Sequence, residues 1–144
     1  MPTSEQTIVK RVTELVAADS VSSPDPSWDS SNRRVINHLS DYAERDGWAV
    51  DIHELEASAD GKANLIATLG NTDNLGNEPA GLVLSGHTDT VPFDAGGWAS
   101  DPLKLTARDG RLYGLGSTDM KGFFAVALEA ASVFDPAKIK APLY

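Results

Sequence analysis

The run Leu82-Val83-Leu84-Ser85-Gly86-His87-Thr88-Asp89 constrains this chain most. It is answered further on by Gly114-Leu115-Gly116-Ser117-Thr118-Asp119-Met120-Lys121-Gly122. An apolar, near-continuous strand ends by delivering a His and an Asp two residues apart. A glycine-rich turn then delivers a second Asp at the start of a helical pattern. Side chains two apart in an extended segment point the same way, so Asp89 can reach one ring nitrogen of His87, fix its tautomer and raise its basicity. Imidazole and carboxylate at rigid strand ends form a donor set for a divalent metal such as Zn²⁺. A fold that contains these runs must therefore bring a strand end and a helix start together.

Each element of this pattern has a plainer reading. A lone His-x-Asp is common, and a His at a strand end is more often a hydrogen-bonded structural residue. Asp119 could serve only as a helix cap, since Asp is favoured there. The glycines shift the balance. Gly86, Gly114, Gly116 and Gly122 crowd the acidic positions, and glycine in such numbers implies close backbone approach or positive φ.

The blocks LSGHTDTVPFD, W-x-x-DP-L and GRLYGLGSTDMKGFFA, within roughly residues 81–130, closely resemble the acetylornithine deacetylase group of the two-metal zinc amidohydrolases and exopeptidases. Phe93, Leu115 and the Phe123-Phe124 pair favour that group over related desuccinylases and aminoacylases. The resemblance implies that His87 ligates one metal and Asp119 bridges two. It implies that Asp89 is the catalytic-site residue orienting His87, and that the Asp119–Met120 peptide is cis. It further implies two Zn²⁺ per intact site (with Co²⁺ as an alternative), a small N-acyl amino acid as substrate, and a homodimer formed through an inserted domain. The family's Glu-Glu pair, further carboxylate and distant His have no counterpart before Tyr144. Residues 1–144 therefore read as an incomplete N-terminal part of one catalytic domain, ending before its general base.

Composition fits an ordinary globular chain, with 41% apolar and 23% charged residues among 144. There is no Cys, so no disulfide framework or thiolate metal site exists, which suits a cytoplasmic location. The net charge of −9 argues against nucleic acid or an anionic membrane as partner. It is compatible with a cationic substrate, although acidity that only aids solubility is the commoner case. No apolar run approaches the roughly 18 residues of a membrane span, and MPTSEQTIVK lacks a signal-peptide apolar stretch.

Apolar spacing predicts a helix from Ser4 to about Asp19, with a weak start signal in Ser4 and Thr7, and another from about Ser31 to Arg45 closed by Gly47. Between them lies a Pro- and Ser-rich loop in which Trp28 either packs over the core or rims a substrate cleft, packing being the commoner case for an aromatic. His38 reads as structural, and His53, in the alternating stretch Val50–Leu55, as solvent-facing. Asn64–Leu69 reads as a short strand, 70–80 as a polar connection within one domain, and Leu82–Ser85 as a buried central strand. Asp109-Gly110 signals a hairpin between Leu103–Ala107 and Arg111–Tyr113. A helix from about Lys121 to Phe134, apolar almost all round, should be buried against the sheet and is stopped by Asp135-Pro136. The fold class that follows is α/β: a mixed β-sheet flanked by helices, the N-terminal portion of a zinc-exopeptidase-like catalytic domain, with the metal motifs at strand ends.

For the intact protein these readings converge on hydrolysis of an N-acyl amino acid. N²-acetyl-ornithine, cleaved to ornithine and acetate in arginine biosynthesis, is the leading substrate. The rival is a non-catalytic module, since two certain ligands fall short of the three or four protein ligands Zn²⁺ normally takes.

Overall fold

A computed structural model describes residues 3–55, 61–70 and 81–144. Helix α1 spans Ser4–Ala17 and opens with a capping box one residue earlier than its sequence signal suggested. Thr3 Oγ1 accepts from the Gln6 N–H at 3.3 Å, while the Gln6 side chain accepts from the Thr3 N–H at 3.0 Å. A hydroxyl at the cap and an amide three residues on satisfy two otherwise orphaned donors. The helix also stops before Asp19. Ala18 is already extended, at φ −86° and ψ 99°, because the next residues are drawn into tertiary pairing: Val21 bridges Thr90, Thr90 N–H donates to Ser20 O at 3.0 Å, and Ser22 N–H donates to Thr90 O at 2.9 Å.

Helix α2 spans Arg33–Arg45 and buries the expected stripe of Val35, Ile36, Leu39, Tyr42 and Ala43. It begins two residues later than periodicity implies. The Asn32 side chain is used instead as a clamp, donating to Ala63 O at 2.9 Å, accepting from Ala63 N–H at 3.0 Å and donating to Thr88 Oγ1 at 2.8 Å. Gly47, at φ +85°, turns the chain out of the helix in a conformation that favours glycine.

Strands β1 (Ala49–Glu54) and β2 (Ala63–Thr68) pair antiparallel, with Ala49 opposite Thr68. Strands β3 (Thr106–Arg108) and β4 (Arg111–Tyr113) form the expected hairpin, but its first strand starts at Thr106 and not at Leu103, because Asp101 holds Leu103 and Lys104 in a turn. Its two turn residues, Asp109 and Gly110, have φ of 53° and 69°, the positive pair that a tight hairpin turn needs. Leu82–Ser85 departs from expectation. It is extended but not a buried central strand: Leu82 is 56% and Val83 66% exposed. Among the described residues it pairs with 142–144, through Leu82 N–H to Pro142 O, Tyr144 N–H to Leu82 O and Leu84 N–H to Tyr144 O. Leu143 bridges Leu69 antiparallel and Leu82 in parallel. The sheet is thus mixed at that residue, although the full strands form two separate antiparallel pairs. The connection expected over 70–80 falls outside the described residues apart from Gly70.

Helix α3 spans Lys121–Ala131 and ends three residues before Phe134. Its burial is one-sided. Lys121, Gly122, Ala125, Leu128 and Ala131 are buried, whereas Val126 is 51% exposed, and Val133 and Phe134 beyond the helix are also exposed. Its contacts with α1 and α2 cover only the stripe at three- and four-residue spacing. The core lies where the three helices meet the sheet: Leu15, Ala18, Val35, Leu39, Tyr42, Trp48, Leu69, Leu128 and Ala131 pack together. Arg11 ties the helices at its edge. Its guanidinium meets Asp46 at 2.7 Å and Glu129 at 3.7 Å, and lies 5.3 Å from the Tyr42 ring centre. Trp28 does not pack over the core. It is 50% exposed at the end of a turn fixed by local bonds: Trp28 N–H donates to Asp25 O, and Asp25 accepts from both N–H and hydroxyl of Ser27.

Candidate metal centre

The three residues singled out by the motifs meet at one point. His87 follows the extended stretch that starts at Leu82. Its Nδ1 lies 3.2 Å from both the backbone oxygen and the Oδ1 of Asp89. Its Nε2 lies 2.9 Å from Oδ1 of Asp119. The imidazole is thus held edge to edge between two carboxylates, one on each nitrogen. Asp89, from the same segment, contacts the ring at Nδ1. Asp119 comes from the other limb, immediately before α3, and the Asp119–Met120 peptide is cis.

Electrostatics follow from that placement. The His87 pKa is raised, chiefly by the hydrogen bond to Asp119, against the opposing effect of burial. With an acceptor on each nitrogen, the ring is best satisfied when both carry protons. A cation that took the Nε2 side would replace that proton, leaving Nδ1–H donating to Asp89.

Glycines make the approach of the two limbs possible. A Cβ at Gly86 would sit 2.8 Å from the Phe124 ring and 3.0 Å from the Met120 methyl. Gly116 has φ +78°, and a Cβ there would meet Lys121 Cδ and Thr90 Cγ2, each at 3.1 Å. A Cβ on Gly122 would collide with the Ser117 carbonyl oxygen.

His87 and Asp89 stand between two hollows. A small one, about 260 Å³, is lined by these residues, Thr90, Val91 and 114–119. A larger cleft of about 620 Å³ runs between β2 and 83–89, floored by Phe123, Phe124, Ala127 and Leu128, with Tyr144 at its edge. The side chains are open to solvent, His87 at 48% and Asp119 at 85%.

These donors suit a divalent metal. Two ligands on one tetrahedral Zn²⁺, at about 2.0–2.2 Å each, stand roughly 3.3 Å apart; the observed 2.9 Å needs an opening of a few tenths of an ångström. Asp89 faces the opposite nitrogen and does not add to the same position. Among the described residues, no group of three or more His, Cys, Asp or Glu side chains converges on one metal position. The other histidines stand apart: His38 stacks on Tyr42 with ring centres 6.0 Å apart, and exposed His53 pairs with Asp51 at 3.0 Å.

Sequence reasoning missed Lys121. It is fully buried, and its Nζ donates to Ala18 O at 2.7 Å. A signal for it existed: Lys121 shares the buried face of Ala125 and Leu128, four and seven residues on, on an otherwise apolar helix.

A His thus stands between two carboxylates on a mixed α/β scaffold. Residues 83–143 match the family described as Peptidase family M20/M25/M40. The chain is similar to the N-terminal region of acetylornithine deacetylases. It is 47% identical to that of Vibrio campbellii (strain ATCC BAA-1116) over 130 residues, covering 90% of this chain and 32% of the relative. It is 43% identical to that of Proteus mirabilis (strain HI4320) over 138 residues, covering 96% and 34%. Human carnosine dipeptidase 1 is a structural neighbour, with a TM-score of 0.69 and 27% identity over 94% of this chain and 30% of that one. The chain thus spans about a third of the length of the curated relatives it matches. Among the described residues, no helix is long and apolar enough to cross a membrane.

Proposed function

We propose that this chain is the metal-platform part of an amidohydrolase that cleaves an N-acyl amino acid. N²-acetyl-ornithine, giving ornithine and acetate in arginine biosynthesis, is the substrate we favour. The observation that carries this reading is the His87 imidazole held by Asp89 on Nδ1 and facing Asp119 across Nε2. That is how a metal-ligating His is oriented by a carboxylate behind it. His87 and Asp119 would hold zinc, Asp119 bridging two ions, while Asp89 fixes the ring. When bound, the metal supplies Lewis acidity and a nucleophile at neutral pH. This chain's own residues hold the ligand atoms in place and open them to the two adjoining hollows. The match to relatives named acetylornithine deacetylase supports the substrate choice, and the net charge of −9 is compatible with a cationic one. A cytoplasmic, homodimeric enzyme is part of the same proposal, as is the assignment of residues 1–144 to one incomplete catalytic domain.

A second reading, a folded module without activity of its own, is favoured by the two-ligand count among the described residues. An exchange experiment separates the two. The matching 130 residues of the Vibrio campbellii relative are replaced by this chain, and hydrolysis of N²-acetyl-ornithine is followed with Zn²⁺ or Co²⁺. The enzyme reading expects a working chimera that His87→Ala inactivates. A soluble, folded chimera that is inert, or one indifferent to His87→Ala, would overturn it. Turnover only on N-succinyl or other N-acyl amino acids would move the assignment to a related desuccinylase or aminoacylase.

A further inference from the structure

The limbs that carry His87 and Asp119 pack where Gly86 meets Met120 and Phe124 and where Gly116 meets Thr90, but His87 and Asp119 themselves meet through one hydrogen bond between half-exposed and exposed side chains. Such a bond contributes little by itself and cannot fix a ligand geometry to the half ångström that a metal site requires. Something buried must set it, and the residues after α1 do so. On one side, this stretch is stitched to the His87 limb: Ser20 Oγ donates to Thr88 O at 2.7 Å, Thr90 N–H to Ser20 O at 3.0 Å, and Ser22 N–H to Thr90 O at 2.9 Å. On the other, Lys121, two residues past Asp119, is fully buried and donates from Nζ to Ala18 O at 2.7 Å. Its stem packs with Thr90 against Gly116 so closely that a Cβ on that glycine would touch both.

We propose that Lys121 is a positioning residue: through the Ala18–Ser22 strut, it sets the distance between His87 and Asp119. The importance of that distance rests on the metal reading above; the distance itself does not. Packing alone would not select lysine. Burying an ammonium against one backbone carbonyl is costly, and an apolar side chain of the same length would fill the space without that cost. The lysine is explained by what its donor does. It anchors the first turn of α3, and with it Asp119, to the segment that also anchors Thr88 and Thr90 on either side of Asp89.

Lys121→Met keeps the shape and removes the donor. The ring nitrogen shifts of His87, read by ¹⁵N NMR at fixed pH in the metal-free chain, report its contact with Asp119. Zn²⁺ titration of the same samples reports affinity. In a variant that folds normally by circular dichroism, we expect the His87 ring signature to move toward that of Asp119→Asn and Zn²⁺ affinity to fall about tenfold. A folded Lys121→Met with wild-type ring shifts would overturn the proposal. Ser20→Ala, which deletes one hydroxyl at the opposite end of the strut, should shift the ring in the same direction by less. If Lys121→Met does not fold, unchanged ring shifts in Ser20→Ala overturn the proposal instead. Absence of any Zn²⁺ binding in the wild-type chain would count against the metal reading alone, because the ring shifts still decide the strut.

Discussion

The two faces of α3 show how differently one helix can be treated. Its inner face, Ala125, Leu128 and Ala131, is packed against α1 and α2 and bounded by the Arg11, Asp46 and Glu129 charges. Its outer side, Phe123, Phe124 and Ala127, floors an open cleft whose walls include the exposed Val83. The closed face specifies the fold and can be rigid. The open face adjoins His87 and Asp89, where access matters more than density. Dense packing and open access are therefore assigned to different sides of one helix, with Lys121 at its start linking the two, and substitutions along the rest of the helix should separate accordingly.

The largest separation is expected in the core. Leu15 is fully buried, so Leu15→Ala should cost about 2–5 kcal/mol, whereas Val126→Ala on the exposed side should stay within about 0.5 kcal/mol. Urea unfolding measures both. Comparable losses at the two positions would mean that the open side is covered in solution and would break the comparison.

The site comes next. Zn²⁺ affinity should fall most in His87→Ala, which deletes a ligand. Asp89→Asn keeps the shape, removes the charge behind the ring and should cost about 10- to 100-fold. Calorimetry on the three proteins gives the order. Wild-type affinity in His87→Ala would remove the metal reading of this motif while leaving the fold comparison intact.

What was legible in the sequence follows the same division. Local chemistry could be read directly: Asp109-Gly110 supplied the positive φ pair of the hairpin, Gly47 closed α2, and the two motif blocks met where the resemblance implied. Readings failed where a distant partner decides. Leu82–Ser85 has the composition of a central strand, but composition does not say whether both faces are covered, and among the described residues only 142–144 pair with it. α1 ends before Asp19 because Ser20–Ser22 pair with Thr90, far along the chain. The start signal of α1 was legible but misplaced, since Thr3 with Gln6 completes the box that Ser4 with Thr7 does not. Lys121 was passed over because a lysine near a helix start ordinarily faces water, and only the position of Ala18 O explains its burial.

The cleft makes a third, smaller prediction. Leu82 and Val83 are more than half exposed beside it, so the chain should bind an apolar-surface dye and self-associate with concentration. Val83→Lys should weaken both while leaving the unfolding midpoint nearly unchanged, because the side chain loses little burial. Sedimentation and dye fluorescence test this. A clean monomer without dye binding would show that these apolar residues do not act as one surface.

The smallest expected effect is the pH dependence of the His87 pair, and its sign is fixed. The folded pKa is raised above the ordinary 6.5, chiefly by the Asp119 hydrogen bond. The folded state therefore holds the proton more tightly than the unfolded chain does. The stabilisation is fully present below pH 6.5 and is lost as pH rises through the higher folded value. Because His87 is half exposed, solvent screening limits it to a few tenths of a kcal/mol. Lys121 acts in the opposite sense and elsewhere: burial lowers its pKa to about 8, so stability from that group grows with pH between about 8 and its ordinary 10.5. A comparison of wild type with His87→Gln from pH 5 to 7.5 thus isolates the imidazole. The difference in unfolding free energy, with the wild type favoured at low pH, should shrink as pH rises. A difference that instead grew with pH would mean that the ring is held neutral in the fold, and that Asp119 does not face a charged His87.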